Sequence, residues 1–170
     1  MRLYSGKVHP LADEAVRALV QGKDIEVESS HEVVRDLESV LNGYVTAERE
    51  CTEKSRRLLE QRSMPPSELG RIKRLTAEQM GIKIGDEMLD YLLDQCIEML
   101  MHSANVEEVY SEDHELRRKM RPVFRKYLEL DDAIEAEVRG KLKHVKEGSR
   151  DWDVEYRRMM EDIQRRKGLV

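Results

Sequence analysis

The chain has 170 residues, of which 38% are charged and 39% hydrophobic, and its net charge is −5 at pH 7. This length fits one domain, or two units of about 85 residues that share a core. Only 5% of the residues are aromatic, and Glu, Arg, Leu, Val, Lys and Met dominate, which is typical of amphipathic helices. The composition therefore predicts an all-α protein with long, well-solvated helices, and the negative charge excludes a polycation.

Cysteine usage and hydropathy indicate the cellular location. Cys51 and Cys96 belong to no CxxC or Cys/His spacing, which indicates reduced thiols in a cytoplasmic protein. No segment approaches the roughly 20 apolar residues that a membrane span needs, and the opening MRLYSGKVHP contains no apolar run. We therefore expect a cytoplasmic protein without membrane association.

The first predicted helix begins in HPLADE, where Pro10 suits an early helical position, and it ends at Gly22. In the connector DIEVESS, Ile25 and Val27 could form a very short extended segment. The candidate pairing partners of this segment are Leu3 and Tyr4.

The second predicted helix is the longest. It begins at Ser29, which has capping-box spacing with Glu32, so that the two side chains satisfy free backbone N–H groups reciprocally. Apolar residues three to four apart continue almost to Arg62, which predicts about eight helical turns despite Gly43. A third helix follows MPPS and ends at Gly81.

The second half of the chain resembles the first. SSHEVVRDLESVLNGYV at 29–45 aligns with EDHELRRKMRPVFRKYL at 112–128, and similar shifts align the apolar residues of the first helix with apolar residues further along. This pattern predicts two tandem copies of a three-helix unit, 1–82 and 83–170. The joint GIKIG is too short to separate them, so we expect one compact helical bundle.

In the second copy, the counterpart of the first helix runs from about Asp86 to Ser103. In the next connector, NVEEVYSED, Val106 and Val109 could form a very short extended segment. Its candidate pairing partners are Ile82 and Ile84 of the GIKIG joint. Pro122 interrupts the second long helix, and the clash of its ring with the carbonyl four residues back predicts a kink or break near Lys119. The last helix follows EGS and ends near Gly168.

The last predicted helix holds the only tryptophan. Ser149 is its expected N-cap, and Asp151 complements the positive helix start. A buried Trp contributes a large apolar area, so a structural anchor is the first interpretation, and a partner-binding hot spot is the second. The candidate residues share one helical face or flank it: Trp152, Tyr156, Arg157 and Met160.

The element GSRDWDVEYRR, the opening MRL and the run DDAIEAEVRGKL resemble a bacterial family known as domain of unknown function 507. The resemblance covers nearly the whole chain, and Trp-Asp-Val-x-Tyr-Arg at 152–157 is its most specific part. The equivalent stretch of the first copy, SELGRIKRL, lacks the tryptophan. The resemblance implies a cytoplasmic bacterial protein and brings no activity, ligand or catalytic residue with it.

No residue pattern points to catalysis, a cofactor, a metal or a small-molecule ligand. His31 and His114 each precede a Glu, but adjacent helical residues point about 100° apart and cannot chelate one ion. Glycine-rich phosphate loops are absent, and acids interrupt the basic clusters RRKMR, KLKHVK and QRRKG. An enzyme is the third hypothesis, and an exposed thiol of low pKa beside His, at Cys51 or Cys96, would favour it.

We therefore expect a non-enzymatic protein-protein interaction or scaffolding protein, whose partner is another protein or a second copy of the chain. The predicted partner surface is the exposed part of the second-helix stripes or the Trp152 helix. The alternative is a nucleic-acid-associated regulatory protein that uses arginines of the second copy. Salt distinguishes the two, because nucleic-acid affinity falls steeply with ionic strength.

Overall fold

The computed structural model describes residues 1–170 and contains seven α-helices and one two-stranded ribbon. The helices are α1 (Val8–Gln21), α2 (Ser30–Gln61), α3 (Leu69–Met80), α4 (Met88–His102), α5 (Asp113–Leu128), α6 (Leu130–Lys141) and α7 (Arg150–Arg166). Single-turn 3₁₀ helices precede three of them, at Ser5–Lys7, Pro66–Glu68 and Gly85–Glu87. The predicted helical class is confirmed, with the ribbon as its one sheet.

Most helix ends lie where the sequence predicted them. Gly81 ends α3 in the left-handed conformation, with φ 72°, which glycine adopts without steric cost. Ser149 caps α7, because its hydroxyl accepts a hydrogen bond from the Trp152 N–H at 3.2 Å. The predicted end of α2 near Arg62 is also confirmed.

The capping box predicted at the start of α2 is wrong, because its side-chain hydrogen bonds do not form. Ser29 is the N-cap residue, but its side chain makes no capping hydrogen bond, and Glu32 lies 4.0 Å from Arg35 instead. A reciprocal box forms at the start of α5, where the Glu112 N–H donates to the Glu115 carboxylate at 2.9 Å. The predicted start of α2 is therefore correct, although the hydrogen bonds expected to fix it are absent.

The break predicted near Lys119 is also wrong, whereas the kink given as its alternative stays a prediction. Helix α5 continues through Pro122 to Leu128, and the chain breaks at Glu129 instead. Pro122 has no backbone N–H, so the carbonyl of Arg118, four residues earlier, loses its helical hydrogen bond. Both residues lie on the exposed side of α5. The freed carbonyl therefore lies on the solvent side of the helix, away from the core, which makes the proline tolerable.

The ribbon pairs the two connectors with each other. Strand β1 (Ile25–Val27) runs antiparallel to β2 (Val106–Val109), with Ile25 opposite Val109. The pairing expected with residues near the start of the chain or in the central joint is therefore wrong. Those candidates were Leu3, Tyr4, Ile82 and Ile84. The Asp24 carbonyl, which accepts from the Tyr110 N–H at 2.8 Å, extends the ribbon by one more bond.

The main core is shared by both halves of the chain. It comprises 24 buried residues, most of them from α1, the first half of α2, α4 and α5. Helices α1 and α4 each pack against both α2 and α5. The two-copy organisation with its boundaries, 1–82 and 83–170, stays a prediction.

Two helical hairpins extend from this core. The second half of α2 packs along α3 around the buried residues Cys51, Ala77 and Ile82. Helices α6 and α7 form the second hairpin around a cluster of their own. The first residues of the chain bind the second hairpin, because the Gly6 N–H donates to the Leu169 carbonyl at 2.8 Å.

Candidate functional site

Trp152 lies half-buried on the inner face of α7. Its indole ring stacks on Tyr156, with ring centroids 4.8 Å apart and an interplanar angle of 20°. Met160 is half-buried on the same face, so three of the four predicted site residues come together. They pack against the cluster of the α6–α7 hairpin, which consists of Tyr4, Ile134, Val138, Leu142, Ile163 and Leu169.

Arg157 does not join this group. Its side chain is exposed and has no carboxylate within 4.0 Å. Arg139, which the sequence did not single out, lies 5.6 Å from the Trp152 ring centroid and is held by Glu135 and Glu147. Trp152 therefore already has partners within the chain.

Tyr4 is a residue of this cluster that the sequence did not predict as a core residue, and Leu169 is another. The Tyr4 side chain is buried, its hydroxyl donates to Asp131, and Gln164 Nε2 donates to that hydroxyl at 3.4 Å. Burial raises the pKa of Tyr4, and the hydrogen bond and negative charge of Asp131 raise it further. No local periodicity marks Tyr4, because it precedes the first helix and packs on helices more than 120 residues away.

A groove of about 1120 Å³ lies between the α2–α3 hairpin and the first residues of the chain. Its lining includes the buried residues Tyr44, Ala77 and Ile82. The Tyr44 hydroxyl donates to the Lys83 carbonyl at 2.8 Å, which ties the α3–α4 connector to α2. Five apolar lining residues remain partly or largely exposed, namely Met1, Val45, Leu69, Ile84 and Val170.

Charges of both signs line the groove, six from Lys or Arg and six from Asp or Glu. Lys73 forms an ion pair with Glu48 between α3 and α2, and Glu53 lies 4.0 Å from Arg57. Four basic lining residues have no carboxylate within 4.0 Å, namely Arg2, Arg49, Arg56 and Arg74. The sequence predicted a partner surface on α2 but not these arginines, because the groove forms only when α3 and the connector fold against α2.

The two thiols lack the features of a nucleophile. Cys51 and Cys96 are both buried, and burial raises the pKa of each. No group of three or more His, Cys, Asp or Glu residues lies close enough together to hold a metal ion. The exposed low-pKa thiol that would have favoured an enzyme is therefore not found.

These features define a helical protein with an open, charged groove and a half-buried pair of stacked aromatic side chains between α6 and α7. The chain belongs to the family described as protein of unknown function (DUF507), whose sequence model matches residues 1–169. The resemblance noted in the sequence is thereby confirmed. No curated protein matches the chain. None of the helices combines the length and the apolar character required to cross a membrane.

Proposed function

We propose that this protein is a non-enzymatic interaction or scaffolding module that binds a protein partner in the groove beside the α2–α3 hairpin. The observation that carries the proposal is the groove itself, about 1120 Å³ in volume, with 11 of its 27 lining residues hydrophobic. Its volume is at the upper end of the roughly 300–1,000 Å³ range of clefts that hold small molecules, and its open shape and lining of both charges favour a segment of a protein chain.

The proposal selects one of the two surfaces expected from the sequence. The second half of α2 forms one wall of the groove, as the partner surface predicted on α2 requires. Trp152 does not line the groove, and its ring stacks on Tyr156 inside the chain. We therefore assign Trp152, Tyr156 and Met160 to anchoring α7 on α6, and Arg157 to the solvated surface.

Three finer expectations belong to the same proposal. The family resemblance supports a bacterial, cytoplasmic protein, and the partner is either another protein or a second copy of this chain. The two-copy organisation is supported by the ribbon, which pairs the connectors that the repeat treats as equivalent. A non-enzymatic role is supported by the burial and raised pKa of both thiols.

Two glycines allow a matched test of the groove. Gly70 lines the groove on α3, and a Cβ built there meets no atom within 4 Å, so a side chain can be introduced there, and we expect Gly70→Trp to obstruct the groove. Gly43 on α2 is equally free of neighbours but does not line the groove, so Gly43→Trp is the control. Both helices should remain folded, because a side chain replaces a helical glycine in each.

Tagged wild-type chain and both variants are used to capture partners from the native host, and the captured proteins are identified by mass spectrometry. We expect one protein to be recovered with wild type and with Gly43→Trp but not with Gly70→Trp, and to rebind directly when purified. An apolar contact should persist at high salt. Recovery of nucleic acid alone, or equal recovery by both variants, would contradict the proposal.

A further inference from the structure

We propose that the groove binds an acidic amphipathic segment, that is, a stretch of a partner protein that carries both carboxylates and apolar side chains. This inference rests on the interaction function proposed above and adds the chemistry of the partner. Three features carry it: the charges that the α2–α3 hairpin leaves unpaired, their spacing along α2, and the apolar side chains beside them.

The unpaired charges on the hairpin wall are mainly positive. Its acids Glu48 and Glu53 already have Lys73 and Arg57 within 4.0 Å, which leaves Glu78 as its one acid without a cation. Three guanidinium groups on the same wall have no carboxylate, those of Arg49, Arg56 and Arg74. A partner carboxylate would therefore find free donors here.

The spacing of these arginines suits a helical partner. Arg49 and Arg56 are seven residues apart on α2, which places them about two turns, or roughly 10.5 Å, apart on one side of the helix. A guanidinium presents its N–H groups in a planar fork that matches a carboxylate. A partner helix with two acids separated by two turns can therefore pair with both arginines.

Apolar side chains line the same groove as these arginines. Val45 is one turn before Arg49 on α2, Leu69 is at the start of α3, and both are half-buried in the groove wall. Ile84 in the connector is half-buried as well. An amphipathic helix buries an apolar stripe in such a groove and places its charged residues at the rim.

Nucleic acid fits this groove less well than an acidic protein segment. The six acids of the groove equal its six basic residues in number, so a continuous phosphate backbone would meet repulsion along its length. Glu78 and Asp86 both line the groove without a cation within 4.0 Å. A segment with a few carboxylates can place them at the arginines and avoid these acids.

Fluorescence anisotropy with three labelled helical peptides of about 18 residues tests the inference. The peptides share one leucine stripe and carry Glu, Gln or Lys at the remaining positions. They are titrated with the wild-type chain and with the triple variant Arg49→Glu, Arg56→Glu and Arg74→Glu. The control triple variant has the same change in charge at exposed, unpaired residues outside the groove, namely Lys54→Glu, Arg118→Glu and Lys143→Glu.

We expect the Glu peptide to bind both the wild-type chain and the control variant with an affinity at least about tenfold higher than that of the Gln peptide. The groove variant should lose the Glu peptide and bind the Lys peptide instead, because its charge is reversed. Circular dichroism and the melting temperature should show that both variants are folded, since all six residues are exposed.

Equal affinity for the Glu and Gln peptides, or an unchanged affinity in the groove variant, would overturn the inference. A single-stranded oligonucleotide with the same net charge as the Glu peptide is titrated as well. If it binds the wild-type chain more tightly than the Glu peptide does, and the groove variant loses this binding, the groove is a nucleic-acid site and the inference is wrong. If no peptide binds but Gly70→Trp abolishes capture of the native partner, the acidic chemistry is wrong and the interaction function stands. If Gly70→Trp leaves capture unchanged, the interaction function itself fails.

Discussion

A Cβ atom built on Gly6 would lie 2.1 Å from the carbonyl oxygen of Gly168, so the two backbones are in direct contact. The Gly6 N–H also donates to the Leu169 carbonyl at 2.8 Å. The residues before α1 thus pack on those after α7, and only glycine fits at position 6. This contact holds the start of the chain, including Tyr4, against the α6–α7 hairpin.

Gly6→Ala should therefore separate these segments and destabilise the protein. We expect a loss of about 2 kcal/mol in the free energy of unfolding, because backbone atoms cannot move aside as a flexible side chain can. Denaturant unfolding followed by circular dichroism measures the loss. Gly140→Ala is the control, because its Cβ meets no atom within 4 Å and alanine in helix α6 should stabilise by about 0.5–1 kcal/mol. A Gly6→Ala variant as stable as wild type would show that the two backbones are not in contact.

Trp152→Ala should also destabilise the protein and lower its melting temperature markedly. The indole is half-buried and stacked on Tyr156, so we expect a loss of about 2–3 kcal/mol, below the cost of removing a fully buried Trp. Val154→Ala, at a residue of α7 that is 59% exposed, should change stability by less than about 0.5 kcal/mol. Unchanged stability of Trp152→Ala together with lost partner capture would instead make Trp152 an interface residue.

Local sequence patterns predicted the helices more reliably than the contacts between them. Apolar spacing, Ser149 and Gly81 placed α7 and α3 correctly, because caps and periodicity act within a few residues. The ribbon was mispaired, because it joins segments about 80 residues apart, and no local pattern selects between equally apolar partners. The missing bonds of Ser29 have a different origin, since a capping-box spacing permits the bonds but does not require them.

The break at Glu129 had a sequence signal that the proline obscured. Buried residues of α5 recur every four positions as far as Leu128, but the next apolar residues are Leu130 and Ile134. A step of two residues turns about 200° around a helix. In a straight helix, the apolar residues of α6 would therefore lie on the side opposite to those of α5. The groove gave no such signal, because its walls come from five separate stretches of the chain.

Both thiols should be unreactive in the native protein. Cys51 and Cys96 are buried, and burial raises the pKa of each, so little thiolate is present near pH 8 and reagents have little access. A colorimetric disulfide reagent should therefore label neither thiol in buffer and both in concentrated urea. Rapid labelling of one thiol in the folded protein would show local opening around it and reopen the question of a nucleophile.

The pH dependence of stability should depend on Asp24, which is 3% exposed. Its carboxylate accepts hydrogen bonds from Lys119 Nζ at 2.6 Å and from the Ser111 hydroxyl at 2.5 Å. Burial alone would raise the pKa of Asp24, but these hydrogen bonds and the charge of Lys119 outweigh it and lower the pKa. A lowered folded-state pKa stabilises the protein above the unfolded value of about 3.9, and this stabilisation is lost as the pH falls through the folded-state pKa.

Lys119→Met removes the cation and retains most of the side-chain length. The burial of Asp24 is then opposed mainly by Ser111, so its folded-state pKa rises, and protonation becomes less costly to the fold. We expect a loss of about 2 kcal/mol in the free energy of unfolding near pH 7, and the deficit relative to wild type should shrink as the pH is lowered to about 4 or below. Urea unfolding across this range measures it. Lys126→Met, which breaks a largely exposed pair with Glu14, should cost less than about 1 kcal/mol near pH 7. A Lys119→Met deficit that stays constant with pH would show that Asp24 does not titrate with folding.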